Sequence, residues 1–261
     1  MNLGQIGRKV AALLTRRPAP SAVESQMRHD WDQRARENAL YYIATDSADS
    51  EETFTASGER SVQAILEDID ALLPSKGVVL EIGCGVGRML RPLACRFGAV
   101  YGLDVSPEMI SRARARLADL RNVQVWANGG IDLKPVKSEQ VDLAISYLVF
   151  QHIPEASVVE AIIQDTFRVL KPGGVFKFQV AGRPDTEEAA AGEGSRGKDT
   201  WVGVSFSDPE IRTVVENAGF NVLSTYSHKP PDSCIFLWVI AQKQPDRGSR
   251  STRAAKTPVR A

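Results

Sequence analysis

The residues with the most chemistry in them form one run, Glu81-Ile82-Gly83-Cys84-Gly85-Val86-Gly87-Arg88. Glycines at this spacing let the backbone approach a ligand closely. The run reads E-x-G-x-G-x-G. A dinucleotide fingerprint, G-x-G-x-x-G, would need a third glycine where Arg88 stands. No Walker lysine follows, so nothing here suits a pyrophosphate or triphosphate. Asp104 comes after Gly102-Leu103. An ionised carboxylate accepts from both hydroxyls of a vicinal diol, which makes Asp104 a candidate ribose clamp. Gly85 alone could be a helix-start turn, but three glycines together with Asp104 favour a ligand loop. Cys84 reads as a small residue packed in that loop rather than a nucleophile. Glu81 has two readings, a buried structural acceptor or a ligand contact.

A second reactive stretch is Ser146-Tyr147-Leu148-Val149-Phe150-Gln151-His152-Ile153-Pro154. The unperturbed pKa of histidine suits proton removal near neutrality, so His152 is the candidate general base. The competing and favoured reading is a histidine that hydrogen-bonds the scaffold. His29 and His228 have no metal-like partners nearby in sequence, and no metal site is expected.

These residues need strands to end beside them. Short apolar runs predict strands at Val78–Ile82, Ala99–Leu103, Val123–Trp126, Val141–Ser146 and Val175–Val180. Helices alternate with them: Val62–Leu73, Arg88–Arg96, one capped by Ser106 with Pro107 in its first turn, and Ala156–Leu170. Lys171-Pro172-Gly173-Gly174 ends the last of these. Ser207-Asp208-Pro209-Glu210 is a capping box opening a helix that Gly219 closes. Asn221–Tyr226 and Ile235–Ala241 are joined by a loop too short for a helical crossover, so they form an antiparallel hairpin. Alternating strands and helices mean a parallel sheet with helices on both faces, and ligands bind beyond the carboxyl ends of its strands.

The chain has 261 residues, 43% of them hydrophobic, enough for a substantial core. Lys plus Arg and Asp plus Glu each number 32, a balance that argues against bulk electrostatic binding of nucleic acid. No apolar run approaches the roughly 20 residues that span a bilayer. Three widely spaced cysteines fit a reducing, cytoplasmic setting rather than a disulfide framework or zinc site. Residues 1–23 form a basic N-terminal segment. Residues 24–60 hold an N-terminal helix followed by a polar linker from Thr45 to Arg60. Residues 61–243 form the core domain, and 244–261 a polar, basic tail read as disordered. The Ala-, Gly- and Glu-rich stretch from Arg183 to Asp199 is a candidate lid.

In four segments the chain resembles the class I S-adenosylmethionine-dependent methyltransferases. They are Val79-Leu80-Glu81-Ile82-Gly83-Cys84-Gly85-Val86-Gly87, Gly102-Leu103-Asp104-Val105-Ser106, Val141-Asp142-Leu143-Ala144-Ile145-Ser146 and Val169-Leu170-Lys171-Pro172-Gly173-Gly174. The resemblance covers about residues 60 to 243. It implies one Rossmann-like doubly wound α/β sheet of about seven strands, the last antiparallel. It also implies S-adenosyl-L-methionine as cofactor. Glu81, Gly83, Cys84, Gly85 and Gly87 then border its methionine part, Asp104 and Val105 its ribose, and Tyr147 the transfer path. The family often places Gly-Asp beside the adenine. Here the loop reads Ala127-Asn128-Gly129-Gly130, so Gly129 takes the acid's place and Asn128 or backbone would make the contact. On a helix, Trp31, Ala35, Asn38, Ala39 and Tyr42 share a face. Such helices often cover the cofactor in relatives, making Tyr41, Tyr42 and Arg34 candidate pocket residues alongside Gln151 and His152; packing on the sheet edge is the alternative. The amino-methylating Asn/Asp-Pro-Pro-Tyr motif is absent, which favours a small-molecule, sugar or lipid-like acceptor over nucleic acid. A nicotinamide oxidoreductase, opposed by Arg88 and the final hairpin, and a non-catalytic cofactor binder are the rivals.

Overall fold

A computed structural model describes residues 22–73, 75–185, 200–230 and 235–245. Nearly all of the basic N-terminal segment and tail, and most of the Arg183–Asp199 stretch, lie outside those residues. Strands β1 (Val78–Ile82), β2 (Ala99–Asp104), β3 (Val123–Ala127), β4 (Val141–Ser146) and β5 (Leu170–Gly182) are parallel, β6 (Ser205–Phe206) pairs with β5, and β7 (Phe220–His228) and β8 (Ile235–Lys243) form the hairpin. The sheet order is β3-β2-β1-β4-β5-β8-β7, and β8 runs antiparallel to both its neighbours. The eighth strand, β6, has two residues, so seven strands make up the sheet proper. β8 occupies one edge of β5 at Ala181 and Gly182. The parallel pairing of β6 to the same residues must therefore use the other edge, above the end of β4.

Helices α2 (Glu51–Glu67), α3 (Leu90–Ala94) and α4 (Pro107–Arg116) cover one face, burying Val62, Leu90 and Ile110 against Val79, Val100 and Leu143. On the other face, α5 (Ala156–Val169) and α6 (Asp208–Asn217) bury Val159, Ile163 and Ile211 against Leu80, Phe176 and Phe178. Adjacent residues Val79 and Leu80 serve opposite faces because strand side chains alternate. Both faces are covered, which is why β4 is buried along its whole length. A further helix, α1 (Ala22–Ile43), crosses the carboxyl rim.

The linker expected from Thr45 to Arg60 is a correction: residues 51–60 are helical and begin α2. Their polarity concealed a capping box. Thr53 N–H donates to the Ser50 hydroxyl at 3.1 Å, and Ser50 N–H donates to Thr53 Oγ1 at 3.1 Å. The stripe beneath is Phe54, Ser57 and Gly58, all buried. Gly58 matters because a Cβ there would collide with the carbonyl of Arg88. The fifth strand also begins earlier than expected, at Leu170, and takes in the Lys-Pro-Gly-Gly turn.

That turn is tied to β4 by Asp142, which is 2% exposed. Its carboxylate accepts from Val78 N–H at 2.8 Å, Ser75 Oγ at 2.9 Å and Lys171 Nζ at 2.7 Å. Asp142→Ala leaves the backbone donor and the lysine without their acceptor. We expect a loss of about 2–3 kcal/mol. Equilibrium urea unfolding measures it, and a midpoint within error of the parent would refute this role.

Candidate functional site

The rim above β1, β2 and β4 holds a cavity of about 480 Å³. Its floor is the turn after β1. Gly83 N–H and Cys84 N–H both donate to the Leu103 carbonyl, at 2.7 and 2.9 Å. Gly83 and Gly85 have φ of +76° and +53°, a region that side chains disfavour. Crowding gives a second reason for glycine: a Cβ on Gly85 would lie 2.6 Å from Ile43 of α1, and one on Gly83 would strike Val149.

Asp104 holds this turn. One carboxylate oxygen accepts from Gly85 N–H at 2.8 Å, the other from Ser106 N–H at 2.9 Å. Each oxygen keeps a second acceptor direction, and the residue lines the cavity. Burial pushes the Asp104 carboxyl up to about 6, against the lowering effect of the Ser106, Gly85 and Val105 amides. Glu81 is 4% exposed, lines the same cavity, and has Oε2 without a partner. Burial raises its carboxyl to about 8, partly offset by attraction to Arg88. Arg88 is itself buried, donates to Ser57 and Ser61 at 3.2 and 3.0 Å, and has an unpartnered Nε. Cys84 is buried, and that burial raises its thiol well above the usual range, consistent with packing rather than nucleophilic attack.

α1 closes the top, contacting every part of the rim. Arg28 donates to the Asn128 carbonyl at 3.3 Å; Asp32 accepts from Ser106 Oγ at 2.5 Å and Glu108 N–H at 3.1 Å. At the far side Asp30 accepts from Thr200 N–H at 2.9 Å, and Arg34 donates to Thr200 Oγ1 at 3.1 Å. The helix is interrupted at Asn38, whose side chain accepts from Tyr41 N–H at 3.2 Å and so caps a new turn. That break directs Tyr42 to the cavity and leaves Tyr41 45% exposed.

The segment 200–204 completes the wall. Gly203 N–H donates to the Gln151 carbonyl at 2.6 Å and Val204 N–H to the Ile153 carbonyl at 2.9 Å. His152 Nδ1 lies 2.5 Å from the Trp201 carbonyl. A carbonyl only accepts, so Nδ1 carries the proton. The His152 ring is also packed against Trp31 and Trp201, with centroids 5.1 and 4.9 Å away.

Of the sequence candidates, the cavity gathers Glu81, Gly83, Cys84, Gly85, Asp104, Val105, Asn128, Tyr147, Tyr42, Gln151 and His152. Gly87, Gly129, Arg34 and Tyr41 are not among its lining residues; Gly130 lines it in place of Gly129. Sequence reasoning missed Trp31 as a wall, Ser57 and Ser61, and Trp201. Trp201 has no periodic context and was legible only as an aromatic beside the Gly-rich stretch.

Residues 80–178 match a family model described as a methyltransferase domain. That match runs from β1 into β5, the part of the chain that resembles the class I S-adenosylmethionine-dependent methyltransferases. The chain is 38% identical over 109 residues to an arsenite methyltransferase of Halobacterium salinarum, covering 40% of this chain and 27% of the relative. It is 31% identical over 156 residues to a 24-methylenesterol C-methyltransferase 2 of Oryza sativa, covering 56% of this chain and 41% of the relative. The chain thus spans well under half the length of these curated relatives. Among solved structures, a geranyl diphosphate C-methyltransferase of Streptomyces coelicolor, described with magnesium, geranyl diphosphate and S-adenosyl-L-homocysteine, superposes with a TM-score of 0.62. That pair shares 14% identity, covers 87% of this chain and 100% of that one, and shows a common fold.

The cavity floor has two buried carboxyls with raised pKa. Such a group keeps its proton in the folded state after the unfolded chain has lost it. Its stabilising effect is complete below the ordinary carboxylate pKa and is lost as pH rises through the folded value. Stability of the ligand-free protein should therefore decline between about pH 5 and pH 8, chiefly through Glu81. Urea midpoints across that range should fall for the parent and flatten for Glu81→Gln. Parallel curves for the two proteins would exclude Glu81 as the source.

Proposed function

We propose that this protein transfers a methyl group from S-adenosyl-L-methionine to a small-molecule, sugar or lipid-like acceptor. The observation that carries the cofactor is the pairing of Asp104 with Glu81 on one cavity floor. Asp104 has acceptor directions left for a vicinal diol. Glu81 Oε2, buried and unpartnered, fits the positive charge of the cofactor's amino or sulfonium group. Arg88, with an unpartnered buried Nε, suits its carboxylate. Asn128 uses its carboxamide within the loop, donating to the Asp132 carbonyl at 2.8 Å and accepting from Gly130 N–H at 3.2 Å. Backbone is then the better partner for the adenine.

When bound, the cofactor would supply an electrophilic methyl group, with Asp104 holding its ribose and Glu81 and Arg88 its methionine end. The chain's own residues align the acceptor and exclude water, α1 and segment 200–204 forming the cover. Among the described residues no group of three or more His, Cys, Asp or Glu could hold a metal, and no helix is long and apolar enough to cross a membrane. The balanced charge speaks for a small acceptor over nucleic acid, and the sparse cysteines for a cytoplasmic setting.

Calorimetric titration with S-adenosylhomocysteine and with NAD tests the cofactor: binding of NAD alone would overturn the proposal. Asp104→Ala should weaken S-adenosylhomocysteine at least about tenfold, because hydrogen bonds to a charged group contribute roughly 1.5–3 kcal/mol each. An unchanged affinity in the folded variant would assign Asp104 only to the turn.

His152 serves as a positioning residue, since its Nδ1–H anchors the Trp201 carbonyl of the cover. His152→Ala should lower turnover by less than about a hundredfold, short of the loss of an essential base. A larger loss, accompanied by disappearance of a rate limb near pH 6.5, would identify it as the base instead.

A further inference from the structure

The cavity has two ends with different polar demands. Sheet order separates them: β2 lies on one side of β1 and β4 on the other. Asp104 ends β2 and Asn128 follows β3, whereas Gln151 and His152 follow β4 and meet segment 200–204. The second end is walled by Trp31, Tyr42 and Trp201, with Val149 and Ile153 beside them. Trp31 and Trp201 both pack on the His152 ring, and Tyr42 meets Trp201 edge-on at 5.7 Å. The Tyr42 hydroxyl is engaged outward, donating to Glu37 at 2.9 Å.

Among the described residues, the buried side-chain atoms that line this cavity without a partner are Glu81 Oε2, Arg88 Nε and Gln151 Oε1. The first two belong to β1 and its turn. Gln151 thus brings the unmet polar demand of the aromatic end. A carboxamide both gives and takes hydrogen bonds but carries no charge, so it is matched by a neutral hydroxyl. A buried amide left unmatched is costly, which makes such a group selective against ligands that lack the hydroxyl.

Charge narrows the class further. The Arg34 guanidinium already stands over the rings of Trp31 and Trp201, at 4.9 and 5.4 Å from their centroids. The guanidinium thus already occupies the cation-binding faces of this cluster, and a cationic acceptor would have to compete with it for them. A sugar would set several hydroxyls against the faces of Trp31, Tyr42 and Trp201, which offer an aromatic ring a better surface than a polyol.

We infer that the aromatic end of the cavity selects an uncharged aromatic alcohol, whose ring lies against Trp31, Tyr42 and Trp201 and whose hydroxyl pairs with the Gln151 carboxamide. This assignment rests on the methyl-transfer reading for its role as acceptor site, but the binding itself can be measured without turnover. The probes are 2-naphthol, naphthalene, 1-naphthylmethylammonium and methyl glucoside, titrated calorimetrically into the full chain, with and without saturating S-adenosylhomocysteine. The expected result is 2-naphthol binding about tenfold more tightly than naphthalene, the worth of one well-made hydrogen bond to a buried group. Gln151→Leu should bring the two to equal affinity. Its side chain makes no hydrogen bond that folding needs, and an unchanged urea midpoint checks that the variant is folded. Equal binding of 2-naphthol and naphthalene by the parent overturns the inference, as does a preference that survives Gln151→Leu. Tighter binding of the ammonium or the glucoside, or no 2-naphthol binding under either condition, overturns it as well. Failure of S-adenosylhomocysteine to bind would instead remove the methyl-transfer reading and leave the naphthol result to stand or fall alone.

Discussion

The site is organised around one carboxylate. Asp104, at the end of β2, bridges the turn after β1 and the start of α4 through Gly85 N–H and Ser106 N–H. Remove that bridge and Gly85 N–H loses its partner, leaving the turn tied to β2 by the Gly83 and Cys84 amides that converge on the Leu103 carbonyl. The arrangement keeps an acid buried against its solvation preference. It persists because two backbone donors face it and because the sheet fixes Glu81 opposite Gly102 in parallel register. A ligand that brings donors of its own relieves the same imbalance, so the fold and the binding site share one electrostatic constraint.

Much of this was legible in the sequence, for identifiable reasons. The central strands β1, β2, β4 and β5 are apolar runs largely buried on both faces. Ser106-Pro107 and Ser207-Asp208-Pro209-Glu210 mark their helices by local hydrogen bonding, and the Ser207 N–H does donate to Glu210 at 2.8 Å. The hairpin followed from loop length alone. Glu81, Gly83, Gly85 and Asp104 could be found because their chemistry is local to strand ends, where topology itself fixes the rim.

Other parts were illegible because their signals are tertiary. The first turns of α2 looked like a linker, since charged and hydroxyl residues there face solvent and only Phe54, Ser57 and Gly58 turn inward. Tyr41 and Tyr42 are equivalent by composition; the break at Asn38 separates them, and a non-helical φ/ψ inside a helix has no reliable sequence sign. Trp201 and Thr200 meet α1 across more than 160 residues of chain, through Asp30 and Arg34. No spacing rule reaches that far.

Segment 200–204 also bears on what kind of cover this enzyme fold has. A cover that swings needs few backbone ties to its base. This one has two, from Gly203 and Val204 to the chain at Gln151 and Ile153, and a Cβ on Gly203 would collide with the Ile153 carbonyl. The approach is so close that only glycine fits, and β6 then continues the segment into the sheet beside β5. The segment is therefore part of the cavity wall, built on the sheet. α1 differs: it reaches the rim mainly through side chains, Arg28, Asp30, Asp32 and Arg34, and through the apolar contacts of Ala35 and Ala39. Backbone pairing fixes the path of the chain itself, whereas side-chain ties fix it only through their rotamers. The two sides of the cavity are thus held differently, α1 by side chains and the segment 200–204 by paired backbone.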